Sequence, residues 1–242
     1  MKTIVYDTVP STMDVAFKHI MENSEESFVI LAKEQTLGRG REENTWFSPK
    51  GGLYLSFVLP MKDSLAREAI AMFHYSTALA IVTCLKKLFD LKIKIKWPND
   101  IHYEGKKLAG LLIEYISSKQ DFMIVGIGIN VNNRTEEFPD HIQRNAISLI
   151  DIIRKESNIN RIVEELKNQI LRNSSLTLNQ KFQHIVNQFN QNCIQYMKTI
   201  VLKNNKKYNC EGINVAGRLI LTSEKTKKEL EIHESKDLVS YS

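Results

Sequence analysis

Residues 37–52, LGRGREENTWFSPKGG, set Arg39 and Arg41 among glycines. Backbone N–H groups of a glycine-containing loop approach an anion closely, and guanidiniums add charge-assisted, often bidentate bonds to phosphate or carboxylate. Trp46 supplies an apolar plate for a ring. A solvated basic loop has the same composition. It is not a P-loop, since GxxxxGK[ST] is absent.

A second cluster is KWPNDIHYEGKKLAG, residues 96–110. Trp97-Pro98 ends an alternating strand, and Asn99 and Asp100 stand at its exit, where binding residues collect. A lone carboxylate beside an amide suits one Mg²⁺ held mainly through water and substrate phosphate. A plain turn is equally compatible, because Asn-Asp and Glu104-Gly105 are both turn chemistry. Strand alternation then places Lys107 on the inner face with Ala109, Leu111 and Ile113, and Lys106 in water. An ammonium on an inner face needs an anion, because burying it unpaired is costly.

The third cluster is FMIVGIGINVN, residues 122–132. Met123, Val125, Ile127, Ile129 and Val131 share one face, which belongs to a core. Phe122, Ile124, Gly126, Gly128, Asn130 and Asn132 share the other, which shrinks to bare backbone at two positions and then offers amides. Strand glycines weaken a sheet unless something must approach closely. That something is a flat ligand, with Asn130 facing a heterocycle, or else a packed helix or a bulge. No Ser-His-Asp or Cys-His arrangement is evident. Arginines, a lysine, one carboxylate, a flat floor and an aromatic lid suit nucleotidyl transfer, in which catalysis is chiefly positioning and charge neutralisation.

The elements that must position these residues follow from periodicity. Strands are expected at Thr3–Tyr6, Phe28–Gln35, Leu53–Leu59, Lys92–Trp97, Leu108–Ile116 and Phe122–Val131. Ser11 or Thr12 caps a helix to about Met21. Residues 65–89 form a helix apolar nearly all round, hence buried, and 146–155 and 160–191 are helical. From Ile194 onward short strands with turns suggest a small β-barrel. Eight of the ten glycines lie between Gly38 and Gly128, and none between 129 and 211, so special backbone geometry is concentrated in one third of the chain.

Composition narrows the classes. The 242 residues are 43% hydrophobic and 25% charged, which suits a catalytic-sized domain with a small satellite. Net charge is +5, from 33 basic and 28 acidic residues, without a run of five like charges, which disfavours a nucleic-acid binder. Cys84, Cys193 and Cys210 form no CxxC pair and are expected to be buried thiols, and no histidines form HxxxH. MKTIVYDTVP lacks the apolar core of a signal peptide. No run of about 18 apolar residues is seen, so no membrane span is expected and the cytoplasm is the expected compartment.

GRGR…W.SP.GGLY.S (38–56), KWPNDI…KKLAG.LIE (96–114) and GIGIN (126–130) resemble the motifs of biotin protein ligases, in that family's order and at about its spacing. Ser11-Thr12, Gln35 and EGIN..G.L (211–219) also fit, so the resemblance covers nearly the whole chain. It implies an α+β fold: a mixed β-sheet catalytic domain backed by helices, of the class II synthetase-like biotin ligase type (1–192), then a small SH3-like β-barrel (193–242). It implies ATP-dependent formation of biotinyl-5′-AMP and transfer of biotin to a lysine of a biotin carboxyl carrier protein, with Mg²⁺. Ser11, Thr12, Met13, Gln35, Gly38, Arg39, Gly40, Arg41, Lys107, Gly110 and Gly128 would bind biotin. Arg39, Arg41, Trp46, Asn99, Lys107 and Asn130 would border ATP. Lys107, Arg41 and Asp100 would be catalytic, with Asp100 orienting the metal and 39–41 acting as a lid. Met13 stands where members usually carry asparagine, and residues 42–45 lack the extra basic residues some members carry.

A ligand site beginning at Ser11 leaves no room ahead of it for a helix-turn-helix domain, so a ligase without DNA binding is expected. A homodimer is compatible with exposed strand edges. Rival readings are a lipoate or octanoate ligase on the same fold and a non-catalytic biotin sensor. The first would carry an arginine-rich triple-glycine signature in place of KWPND. The second needs neither lid nor Lys107.

Overall fold

The structure, a computed structural model, describes residues 1–22, 26–42, 44–61, 67–117, 120–178, 181–223, 226–232 and 238–241. In chain order the elements are β1 (Lys2–Val9), α1 (Thr12–Met21), β2 (Phe28–Gln35), β3 (Leu53–Met61), α2 (Arg67–Phe89), β4 (Lys94–Lys96), β5 (Asp100–Tyr103), β6 (Lys106–Ile116) and β7 (Asp121–Ile129). Then come α3 (Asp140–Gln143), α4 (Leu149–Ile153), α5 (Ile159–Leu178), α6 (Phe182–Asn192), β8 (Thr199–Leu202), β9 (Lys207–Ile213), β10 (Leu219–Ser223), β11 (Glu229–Ile232) and β12 (Leu238–Tyr241). They gather into two compact units, one of residues 1–65 with 102–163 and one of 66–101 with 164–242. This partition differs from a division at 192/193, because α2, β4 and α6 group with the C-terminal strands.

In the first unit, β1, β2, β3, β7 and β6 lie side by side in that order. β1 and β2 are parallel and the other pairs antiparallel, so the sheet is mixed, as expected. Helix α1 starts where the sequence says it should: the Ser11 side chain accepts from the Met13 backbone N–H. Its Met13, Ala16 and Ile20, spaced for one helical face, pack with Phe28, Ile30, Val58, Phe122 and Ile124 in one core cluster. The face of β7 that ends in glycines is thus the face that α1 covers. Its other face, Met123, Val125, Ile127 and Ile129, is buried as well. β5 turns into β6 through Glu104 and Gly105, both left-handed (φ 47° and 82°), the geometry a two-residue hairpin needs.

The second unit is built on α2, α5, α6 and a five-stranded antiparallel sheet in the order β11-β10-β9-β8-β12. This sheet is the small C-terminal β domain expected. Trp97, 2% exposed, is its anchor. The Trp97 backbone N–H donates to Gln195 Oε1 (3.0 Å), its indole N–H donates to Tyr75 Oη (3.0 Å), and the Tyr75 hydroxyl donates to the Gly217 carbonyl (2.6 Å).

Several boundaries differ from expectation. The alternating Lys92–Trp97 stretch is a strand only at Lys94–Lys96, although Ile93, Ile95 and Trp97 are buried as predicted. The expected 160–191 helix is two helices, α5 and α6, and 179–180 lie outside the described residues. The helix expected at 146–155 is the shorter α4, and α3 and β12 were not foreseen. β7 ends at Ile129, before Asn130. Glu68–Phe89 does meet the length and composition of a membrane span, contrary to expectation, because its few polar residues are uncharged or terminal. Within that stretch an 18-residue apolar window has 72% of its residues buried within the protein, the environment of a core helix. Cys84, Cys193 and Cys210 are buried thiols, and burial pushes them up to about 12, 11 and 12.

Candidate active site

The expected site residues fall in the first unit, except Asn99 and Asp100. Those two lie in the second unit, half-buried, at the exit of the Trp97-Pro98 segment, and Asp100 opens β5.

A chain of hydrogen bonds ties the start of α1 to the glycine loop. The Thr12 backbone N–H donates to Gln35 Oε1 (2.8 Å), Gln35 Nε2 donates to Ser48 Oγ (2.9 Å), and the Ser48 hydroxyl donates to the Trp46 carbonyl (2.8 Å). The Ser56 hydroxyl donates to Thr12 Oγ1 (2.8 Å). Ser48 and Ser56 stand in the quoted 38–56 motif but were not among the expected site residues, although a serine amid the apolar run of β3, Ser56, signals a buried polar partner.

Residues 38–42 and 44–46 pair as the two arms of a small hairpin rather than an open loop. The Trp46 N–H donates to the Gly38 carbonyl (2.8 Å), the Gly40 N–H to the Asn44 carbonyl (2.7 Å), and Arg39 stands opposite Thr45. A side chain on Gly38 would run into the Trp46 carbonyl and Ser48 Oγ, so glycine is required by close approach. Glu43 lies outside the described residues. Among the residues the hairpin shares with β6 is a cleft of about 470 Å³ lined by Arg39, Arg41, Leu112 and Glu114.

The floor is cut into the sheet. Gly110 and Gly128 stand directly opposite each other in β6 and β7. The Trp46 ring lies on both: a Cβ at Gly128 would be 2.5 Å from its Nε1, and one at Gly110 would be 3.0 Å from its Cζ3. The two strand glycines of β7 therefore divide between the alternatives. Gly126 packs against the helix, where a Cβ would be 2.5 Å from Met13 Sδ, and Gly128 keeps the sheet bare under a ring. Trp46 Nε1 is buried without a hydrogen-bond partner among the described residues, a donor that a bound acceptor would satisfy.

Lys107 Nζ lies 5.1 Å from the Trp46 ring centroid, a cation–π distance. This corrects the strand-parity argument. A Cβ at Gly110 would be 3.6 Å from Lys107 Nζ, so the ammonium is on the Gly110 side and not on that of Ala109. The reason is reach: a four-carbon stem at a strand's first turn carries its head round to either face. Lys107 is half-buried and Lys106 exposed, as expected.

The two lid arginines differ. Arg39 is bound to Asp14 and Glu114, whereas Arg41 has Glu42 at 3.9 Å. Asn130 is buried and braces the chain: its Nδ2 donates to the Ile147 carbonyl (3.1 Å) and its Oδ1 accepts from Asn133 Nδ2 (3.4 Å). Among the described residues no group of three or more His, Cys, Asp or Glu side chains could hold a metal ion.

The geometry meets its relatives here. The model of the Biotin/lipoate A/B protein ligase family matches residues 5–132, more than half of the chain. The chain belongs to that family. The bifunctional ligase/repressor BirA of Bacillus subtilis is 34% identical over 150 residues, 60% of this chain and 45% of that protein. Biotin–protein ligase 2 of Arabidopsis thaliana is 37% identical over 130 residues, 51% of this chain and 38% of that one. The chain thus spans less than half the length of these curated family members. A solved Aquifex aeolicus biotin protein ligase in complex with biotin and ATP superposes with a TM-score of 0.79 at 27% identity, covering 100% of this chain and 98% of that one. The family match ends at Asn132 and so takes in the hairpin, Lys107 and the glycine floor.

Proposed function

We propose that the chain is a biotin protein ligase working in two steps, the first of which consumes ATP. A biotin carboxylate oxygen attacks the α-phosphorus of ATP and pyrophosphate leaves, giving biotinyl-5′-AMP. The ε-amine of a carrier-protein lysine then attacks the acyl carbon, AMP leaves, and an amide forms with loss of a proton. The observation that carries this reading is the Lys107 ammonium beside a sheet floor bared by Gly110 and Gly128.

Lys107 brings carboxylate and α-phosphate together by neutralising both, lowering the barrier where two anions must meet. Trp46 holds the floor against water in the absence of substrate and tilts off Gly128 to admit a flat ring. Ser11, Thr12, Met13, Gln35, Gly38, Arg39 and Gly40 surround the ureido end. Arg41 takes phosphate, and Trp46 and Asn99 border adenine. Asn130 contributes by bracing, since its amide is already engaged. A closed hairpin shields the acyl-adenylate from hydrolysis. Asp100, a half-buried carboxylate next to Asn99 in the chain, fits a Mg²⁺ held otherwise by water and phosphate oxygens. When bound, that ion offsets phosphate charge. The partner is a biotin carboxyl carrier domain and the setting the cytoplasm.

Pyrophosphate exchange into ATP, with biotin, lipoate and octanoate offered separately, tests the reading. Exchange with biotin alone is the expected result. Exchange with lipoate or octanoate keeps the chemistry and overturns the substrate. Biotin binding with no exchange makes the protein a sensor and Lys107 a binding residue.

A further inference from the structure

Arg39 is gripped by carboxylates from two separate elements. Its Nη1 donates to Asp14 Oδ1 at 2.8 Å, in the first turn of α1, and its Nη2 donates to Glu114 Oε1 on β6. A guanidinium presents its terminal nitrogens in a rigid fork, so two carboxylates fix its orientation as well as its position. Arg39 is also the hairpin residue paired with Thr45, so what fixes Arg39 fixes the hairpin. Two negative charges against one positive leave the surroundings of Arg39 anionic, which turns a phosphate away. Arg41, on the same cleft, has among the described residues a single longer ion pair, to Glu42 at 3.9 Å.

We propose that Asp14 and Glu114 are positioning residues. They hold Arg39, and through it the paired hairpin arms 38–42 and 44–46 with Trp46, over the glycine floor, and they reserve phosphate for Arg41 and Lys107. Neither carboxylate touches the reacting atoms. The catalytic half of this proposal rests on the ligase reading; the structural half does not.

The test uses the full chain with Glu114→Gln, Asp14→Asn and the pair together, amides that keep shape and remove charge. Trp46 exposure is read in ligand-free protein by acrylamide quenching, against the constant background of Trp97, which is 2% exposed. Adenylate retention is read as the half-life of biotinyl-5′-AMP after free ligands are removed. In the double variant, quenching rises and retention shortens about tenfold, the scale of one charged hydrogen bond lost. Glu114→Asp, which keeps the charge, recovers part of the retention that Glu114→Gln loses, a difference that a packing role would not produce. Wild-type quenching in the double variant overturns the proposal, whatever retention does. Raised quenching in a protein whose wild type forms no adenylate from any acid leaves Asp14 and Glu114 in their role and defeats the ligase reading instead. If the double variant does not fold, Arg39→Lys, which cannot fork to two carboxylates, gives the same quenching readout.

Discussion

The floor and the hairpin above it are held by different forces. The floor is backbone: β3, β7 and β6 pair in continuous antiparallel register from Leu53↔Ile129 and Ala109↔Ile129 onward, and its neighbouring side chains are buried. The hairpin is held by a few hydrogen bonds and by half-exposed ion pairs, with Arg39 and Asp14 side chains 40% and 52% exposed. Ladders and burial resist change collectively, whereas exposed pairs contribute about 0.2–1 kcal/mol each. A site that must open for substrate and close over a labile intermediate needs one rigid wall and one that moves at small free-energy difference. The comparison predicts that insults to the floor abolish binding, while insults to the hairpin alter rates and leave the fold.

Gly128→Val is the harshest insult. Its Cβ alone would lie 2.5 Å from Trp46 Nε1, and two methyls follow. The ring is displaced and the flat space filled, so biotin binding is lost, with overpacking that lowers stability by about 1–3 kcal/mol. Calorimetric titration with biotin reads the first and thermal unfolding the second. Retained binding at wild-type affinity would remove the floor from the site. Lys107→Ala comes next. It removes one positive charge from beside the reacting groups and lowers the rate of adenylate formation by about 3 kcal/mol, or about a hundredfold, by analogy with the loss of one oxyanion donor. Single-turnover kinetics read this, and an unchanged rate would return Lys107 to a mere neighbour of Trp46.

Ser11→Ala tests the seam between the two regions. Ser11 caps α1 and is 1% exposed, and the same helix start sends the Thr12 N–H to Gln35 and so to Ser48 and Trp46. Loss of a cap lowers stability by about 1 kcal/mol. If the chain of bonds transmits, Trp46 quenching rises with it. If it does not, the melting temperature falls and Trp46 stays covered.

How much of this was legible in the sequence depended on how local each cause is. The Ser11 cap, the Glu104-Gly105 turn and the apolar alternation of Ile93, Ile95 and Trp97 are decided by near neighbours, and they stand where the sequence places them. That Lys107 is half-buried and Lys106 exposed was readable from the sequence, but the side of the strand its ammonium reaches was not, because a long stem ignores strand parity. Gly126 and Gly128 look alike in sequence. Only the third dimension gives one to Met13 and the other to Trp46. That Arg39 is bonded to Asp14 and Glu114 was not readable, because those carboxylates stand 25 and 75 residues away. The Trp97 anchor was hidden in the same way, since Gln195 and Tyr75 lie 98 and 22 residues off.

The smallest expected effect separates the two walls most directly. Exposed ion pairs are screened by salt, and at 1 M ionic strength the screening length is about 3 Å, comparable to the pair distance itself. Buried sheet contacts carry no such dependence. Raising sodium chloride therefore loosens Arg39 from Asp14 and increases Trp46 quenching, with global stability changed by about 0.5 kcal/mol or less. Trp97, held by neutral hydrogen bonds in the second unit, should not respond. Quenching titrated against salt, in parallel with thermal unfolding, decides it. A coupled change, in which quenching and melting shift together, would mean that the hairpin is part of the cooperative fold and that the site has two rigid walls.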